Sequence, residues 1–355
     1  MQSHCSKLFA IALCAFAAAN ASAASPTYRI ELLPKANGIV PRSAGGISDN
    51  GNIAGVGRQS GSTSTIAYLA KGGRDPQPLA GSKNGGGYAY DVNDAGEVMG
   101  SYVRYDSDGD TPGPQGALWT SDGQLHDLEQ LVGCDMSLPD DYSSPNAINE
   151  AGDMVFMLSC TTGGIFVDTS VLLRDGVMTV LPALGGDLNW SRDINNHGEI
   201  TGSAEDSSGW MIAYTWKDGV MKSLGTLGGP GSWGSVINDH GHVAGSTTLA
   251  NWRSRAFLYD GTTMRALPLC ESSHVASPVG LTNDDLVVGV YGGSKNRRTV
   301  LFEDGQCKLL TDLLDSSGAN WTNLYARSAN NHGVIVGEGL YQGKRRAFIA
   351  TPLSR

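Results

Sequence analysis

One short phrase recurs seven times along the chain: apolar–Asn–x–x–Gly–x–apolar–x–Gly. It runs from Ile47-Ser48-Asp49-Asn50-Gly51 to Gly55, from Val92-Asn93-Asp94-Ala95-Gly96 to Gly100, and through Ile148-Asn149-Glu150-Ala151-Gly152. It returns from Ile194-Asn195-Asn196-His197-Gly198 to Gly202, and from Ile237-Asn238-Asp239-His240-Gly241 to Gly245. A degenerate copy starts at Leu281-Thr282, puts Asp285 in the glycine place and ends at Gly289, and the last runs from Ala329-Asn330-Asn331-His332-Gly333 to Gly337. The steps between first glycines (or Asp285) are 45, 56, 46, 43, 44 and 48 residues. A period of that size means an array of small supersecondary units, each about four strands long.

Within each unit, Asn-x-x-Gly reads as a hairpin turn, because Asn and Gly tolerate left-handed backbone. Small and apolar residues precede it and a β-branched run such as Val334-Ile335-Val336 follows. A third, alternating piece comes next (Ala213-Tyr214-Thr215-Trp216, Ala256-Phe257-Leu258-Tyr259), then an Asp-Gly turn and a fourth piece ending in leucine. No helical period stands out, so the class is all-β. The ends predict a ring. Tyr28 to Leu33 matches a fourth piece, while Arg346 to Ala350 is a third piece with no fourth behind it. The first strand can therefore complete the last unit and hide both sheet edges. The expectation is a seven-bladed β-propeller, one domain over residues 24–355 at about 47 residues per unit.

Residues 1–23 read as a signal peptide: Lys7, an apolar run from Leu8 to Ala19, then Ala21-Ser22-Ala23 as a cleavage pattern. The run is shorter than the roughly 18–20 residues of a membrane span, and no later stretch is apolar enough to cross a membrane. Secretion leaves Cys134, Cys160, Cys270 and Cys307, an even number in an oxidising compartment, which favours two disulfides. Proximity suggests Cys134–Cys160 and Cys270–Cys307, although four cysteines allow three pairings. Net charge is −10 and no basic patch is visible, so nucleic acid and anionic membranes are not expected partners. A monomer is expected.

These residues resemble the HAF-type extracellular repeat family of secreted bacterial proteins. The resemblance rests on Ile194 to Gly202, Ile237 to Gly245, Leu224-Gly225-Thr226-Leu227-Gly228-Gly229 and Leu184-Gly185-Gly186. The His-Ala-Phe that names the family stands here as Arg255-Ala256-Phe257 and Arg346-Ala347-Phe348. The family implies repeat fold and export, and brings no catalytic residues to transfer.

In such a ring the first strand of each unit lines a central channel. Five places before the Asn column stand Ser43, Tyr88, Ser144, Trp190, Trp233, Ser277 and Tyr325; three places before it stand Gly45, Tyr90, Asn146, Arg192, Ser235, Val279 and Arg327. Alternation places both sets on one strand face, as two rungs near the channel mouth. Tyr88, Tyr90, Trp190, Trp233 and Tyr325 offer rings for sugar faces, and Arg192 and Arg327 offer forks for carboxylates. The same aromatics also suit wedges between blades.

Asp106-Ser107-Asp108-Gly109-Asp110-Thr111 alternates carboxylates around a glycine, as calcium loops do, but the twelfth position is Ala117, not Glu. Asp106, Asp108 and Asp110 are therefore candidate calcium ligands or a solvated acidic loop. His197, His240 and His332 occupy equivalent turns of three units and read as polar turn residues rather than metal ligands. No nucleophile motif, phosphate loop or zinc spacing is present.

Two functions remain. One is a secreted binding or scaffold propeller that recognises a glycan or cell-surface component at the channel mouth. The other is a polysaccharide-processing enzyme, above all a lyase on uronate-containing chains, with Arg192 or Arg327 neutralising the carboxylate. Tyr88, Tyr90, Tyr325 or His274 would then move protons.

Overall fold

The computed structural model describes residues 28–82, 86–103, 114–135, 142–162, 165–270, 275–292 and 296–353. The signal segment, the acidic loop with Asp106, Asp108 and Asp110, and His274 lie outside the described residues.

Seven antiparallel sheets follow one another, six of them built from consecutive strands. The inner strands are Ile39–Ile47, Tyr88–Val92, Tyr142–Ile148, Gly185–Ile194, Gly228–Ile237, Ser277–Leu281 and Trp321–Ala329, numbered here as blades 1 to 7. The chain is a seven-bladed β-propeller. Blade 7 contributes only three strands from the C-terminal end. Its outer strand is Tyr28–Leu32, paired antiparallel with Lys344–Pro352 from Tyr28↔Pro352 to Leu32↔Phe348. The ring is thus closed between the two ends of the sequence, as the split last unit required. Tyr28 and Ile30 are buried in the core between blades 6 and 7 with Leu286, Val288 and Phe348.

Two four-residue helices, Leu128–Leu131 and Leu310–Leu313, depart from the all-β pattern, each directly after a fourth strand. They are too short to carry a helical period in sequence. Cys134 is bonded to Cys160 and Cys270 to Cys307, with Cα separations of 6.0 and 5.4 Å. Both pairs are those that proximity suggested, and they indicate an oxidising, non-cytosolic environment. Among the described residues no helix is long and apolar enough to cross a membrane.

The recurring phrase owes its form to two hydrogen-bonded belts. In blade 4 the Asn195 Oδ1 accepts from the backbone N–H of His197 and Glu199, closing the turn. Gly198 takes φ of +70°, which a Cβ would oppose. The Asn195 amide then donates to the carbonyl of Asn238 in blade 5. The same link passes from Asn93 to Asn149, Asn149 to Asn195, Asn238 to Thr282 and, across the closure, Asn330 to Ser48. Blade 1 has Ser48 in this column and supplies its amide from Asn52 instead. A second belt uses the next residue, or Asn50 two places on in blade 1, whose N–H donates to a side chain one blade on. Its seven links run through Asp94, Glu150, Asn196, Asp239, Asn283, Asn331 and Asp49 at 2.7–3.1 Å. The repeated phrase is therefore the circumferential fastening of the ring.

Candidate functional site at the channel mouth

Strand direction gives the ring two unlike faces. Each inner strand starts at one face and ends in the Asn turn at the other. The hairpin between second and third strands returns to the first face. All of the well-exposed aromatic rings among the described residues lie on that first face: Tyr88, Tyr90, Tyr142 and Phe166 on blades 2 and 3, and Trp190, Trp210, Trp233 and Trp252 on blades 4 and 5. Water-facing aromatic surface is unfavourable, and here it is confined to one side of four neighbouring blades.

Every inner strand carries a β-bulge just ahead of the Asn column, as between Ala89/Asp91, Ser191/Asp193 and Ala326/Ser328. The bulge leaves the residue three places before the column unpaired and turned into the channel. All seven such residues, including Tyr90, Arg192 and Arg327, line one channel cavity of about 280 Å³. The second glycine of the phrase makes the bulge fit: a Cβ on Gly245 would collide with the Trp233 carbonyl and lie 2.8 Å from Phe257.

Above the channel opens a larger cavity of about 710 Å³. Tyr88, Tyr90, Arg192 and Arg327 line it, joined by Arg42, Arg58 and Arg345. No carboxylate lines it among the described residues, although the protein as a whole carries a net charge of −10. Arg42 is held below its ordinary pKa by burial first, then by repulsion from Arg58, Arg346 and Arg345, with Glu338 opposing. Like charges crowded at a half-enclosed site favour an anion there.

Arg327 and Arg345 are already anchored. Glu338 is 2% exposed and accepts from Arg297, Arg327 and Arg345, so three guanidinium groups share one buried carboxylate. The Arg297 and Arg327 guanidinium carbons lie 4.7 and 4.9 Å from the centroid of the Tyr325 ring. Tyr325 is thereby half-buried between cations and serves them as a stacking partner. Arg192, by contrast, makes no ion pair among the described residues. Trp190 and Trp233 are 41% and 36% exposed. They stand outside the cavity, on the same face. Tyr90 has its hydroxyl 3.0 Å from Ser101 Oγ.

Sequence reasoning did not reach Arg42, Arg58 and Arg345, which come from blades 1 and 7 on either side of the closure, nor Glu338. Their alignment depends on strand register rather than on the recurring phrase. Trp210 and Trp252 were also missed; they sit on hairpins between second and third strands, whose lengths vary.

Deeper in the channel, Asp91 and Asp193 occupy the place after the bulge. Each carboxylate accepts from its own next N–H and from the adjacent blade: Asp91 from Val92 and Ile148, Asp193 from Ile194 and Ile237. Burial pushes their pKa values up, to about 6 and about 7, against the lowering effect of those bonds. Both residues are half-buried and line the channel cavity. On the far face, His242 Nδ1 lies 2.7 Å from Asp285 Oδ1, and the His240 and His242 rings are 5.9 Å apart. His197, His240 and His332 sit there on separate blades. Among the described residues no three His, Cys, Asp or Glu side chains gather as a metal set.

No protein-family model matches the chain, and no curated protein matches its sequence. Solved propellers are similar in fold. The β-propeller domain of the Trilobed protease from Pyrococcus furiosus superposes with a TM-score of 0.52 at 8% identity, over 93% of this chain and 98% of that one. That domain has an open velcro topology, whereas here the first strand closes the ring. A streptogramin B lyase aligns at a TM-score of 0.49 and 9% identity, over 92% of this chain and 98% of that one. TolB from Acinetobacter baumannii aligns at 0.43 and 13% identity, over 73% of this chain and 62% of its own length. At these identities the likeness concerns the fold alone.

Proposed function

We propose that this chain is an exported binding propeller whose channel mouth takes the acidic groups of a glycan. The observation that carries the reading is the arginine-lined cavity, in which Arg42, Arg58 and Arg192 share the wall with Tyr88 and Tyr90 and no carboxylate lines it among the described residues. Planar guanidinium forks pair with carboxylates or sulfates in two parallel bonds, and tyrosine rings cover the C–H face of a sugar. The disulfides fit work outside the cytosol, and the resemblance to HAF-type extracellular repeats fits the same setting. Calorimetry with oligogalacturonate tests the proposal. Binding should weaken with salt and should fall about tenfold or more in Arg192→Ala. Salt-independent binding, or full affinity in a double Arg58→Ala, Arg192→Ala variant, would reject it.

A lyase acting on uronate-containing chains is the second reading, favoured by one feature: Tyr88 and Tyr90 line the same cavity as Arg192, which makes no ion pair among the described residues. Incubation with polyuronates, followed at the absorbance of unsaturated uronate, separates the two. Turnover that disappears in Tyr88→Phe or Tyr90→Phe would make the chain an enzyme, and binding without product would leave it a binding module.

A further inference from the structure

Trp210 and Trp252 lie beyond the mouth cavity, on equivalent hairpins of blades 4 and 5. In blade 4 the N–H of Gly209 donates to Asp206 and the N–H of Asp206 to Trp210. In blade 5 the N–H of Trp252 donates to Leu249 and that of Leu249 to Arg253, so Trp252 takes the place of Gly209. Gly209 has φ of +81° and Trp252 of +62°. A bulky residue in left-handed backbone is uncommon and costs stability that glycine would not. Yet this tryptophan is 69% exposed and packs only edge-to-face on Trp210, at 6.1 Å between centroids.

The two rings continue the mouth. Trp190 stands two residues before Arg192 on one strand, and Trp233 holds the matching place in blade 5. The Trp233 ring and the Met211 carbonyl, next to Trp210, both approach the Cβ site of Gly231. Ser207, Ser208 and Asn251 are exposed on the same two hairpins, with exposed Ala250 beside Asn251 and Leu188 two residues before Trp190. Exposed rings with hydroxyl and amide groups on the same hairpins suit sugar faces and their hydroxyls. Arg253, exposed beside Trp252, adds charge complementary to an acidic chain.

We propose that blades 4 and 5 carry an aromatic platform that stacks successive rings of a glycan chain whose acidic groups occupy the arginine-lined mouth. This rests on the reading of the mouth given above, and extends it from a single acidic group to a polymer. Affinity electrophoresis in polygalacturonate, paired with calorimetry on digalacturonate, tests it. The Trp210→Ala, Trp252→Ala variant should lose about tenfold or more in polymer affinity while digalacturonate binding is unchanged. Trp252→Gly should lose polymer affinity while its melting temperature stays level or rises, which loss of structure would not produce. Wild-type polymer affinity in both variants would overturn the proposal. If Arg58→Ala, Arg192→Ala keeps polymer affinity while the tryptophan variants lose it, the mouth reading fails and the platform stands. A wild-type protein retarded neither by polygalacturonate nor by a neutral β-glucan overturns both.

Discussion

The side-chain amide of Asn195 donates to the backbone carbonyl of Asn238 at 2.9 Å, from one blade to the next, and both residues are buried. Since Asn195 Oδ1 also accepts two turn N–H groups, one side chain satisfies three backbone atoms. Asn195→Ala would orphan the two turn N–H groups, while the Asn238 carbonyl keeps its bond from the Gly241 N–H, and is expected to cost about 2–4 kcal/mol. Asn195→Thr should cost clearly less, because Thr282 fills this place in blade 6 and its hydroxyl accepts from Leu286 N at 3.1 Å. Urea denaturation of the two variants checks the order; equal losses would show that the belt is incidental.

Closure by the first strand predicts a second effect. Ile30 is 2% exposed between blades 6 and 7, and its N–H donates to Ser317 Oγ at 2.8 Å. Ile30→Ala should cost about 2–5 kcal/mol, as other buried truncations do. Removing residues 28–33 should abolish a single cooperative melt, because the edge of Lys344–Pro352 is then unpaired. A truncated protein that melts like the parent would contradict the closure.

The fold was legible because its fastening is local. Asn and Gly recur at fixed spacing within each turn, and the turn both bends the chain and reaches the next blade. Counting back from the Asn column also located Tyr90, Arg192 and Arg327, since the bulge falls at the same place in all seven inner strands. Arg42 and Arg58 stayed hidden because no recurring phrase indexes their positions; only the closed ring sets blade 1 beside blade 7. Arg327 was read as a free cation because its partner Glu338 lies 11 residues on, across a hairpin. Trp252 was hidden for the opposite reason: it occupies a place where a glycine would be expected.

The disulfides should be worth roughly similar amounts. Their sequence separations are 26 and 37 residues, and loop-closure entropy puts each at about 3–4 kcal/mol. Cys134→Ala with Cys160→Ala, and Cys270→Ala with Cys307→Ala, should each lower the melting temperature in scanning calorimetry. Reductant should then lower the melting temperature of the wild type but have little further effect on a variant lacking all four cysteines. A wild type indifferent to reductant would mean that neither bond contributes.

Asp193 predicts a pH dependence of known sign. Its folded pKa is raised to about 7, by burial first, with the nearby charges of Asp91 and Asp239 adding to it, against about 3.9 for an unfolded aspartate. Between those values the native state holds a proton that the unfolded state has released. Stability therefore falls as pH rises from about 4 to about 7, and levels off above that. Asp91, raised to about 6, adds a contribution of the same sign over a narrower window. Asp193→Asn stays neutral throughout. Its amide also meets one of the two N–H donors badly, from Ile194 or Ile237, but that penalty does not vary with pH. The stability of the variant relative to wild type should thus improve steadily between pH 4.5 and 7.5 in urea denaturation. Parallel curves across that range would show that the Asp193 carboxylate titrates as it does in water.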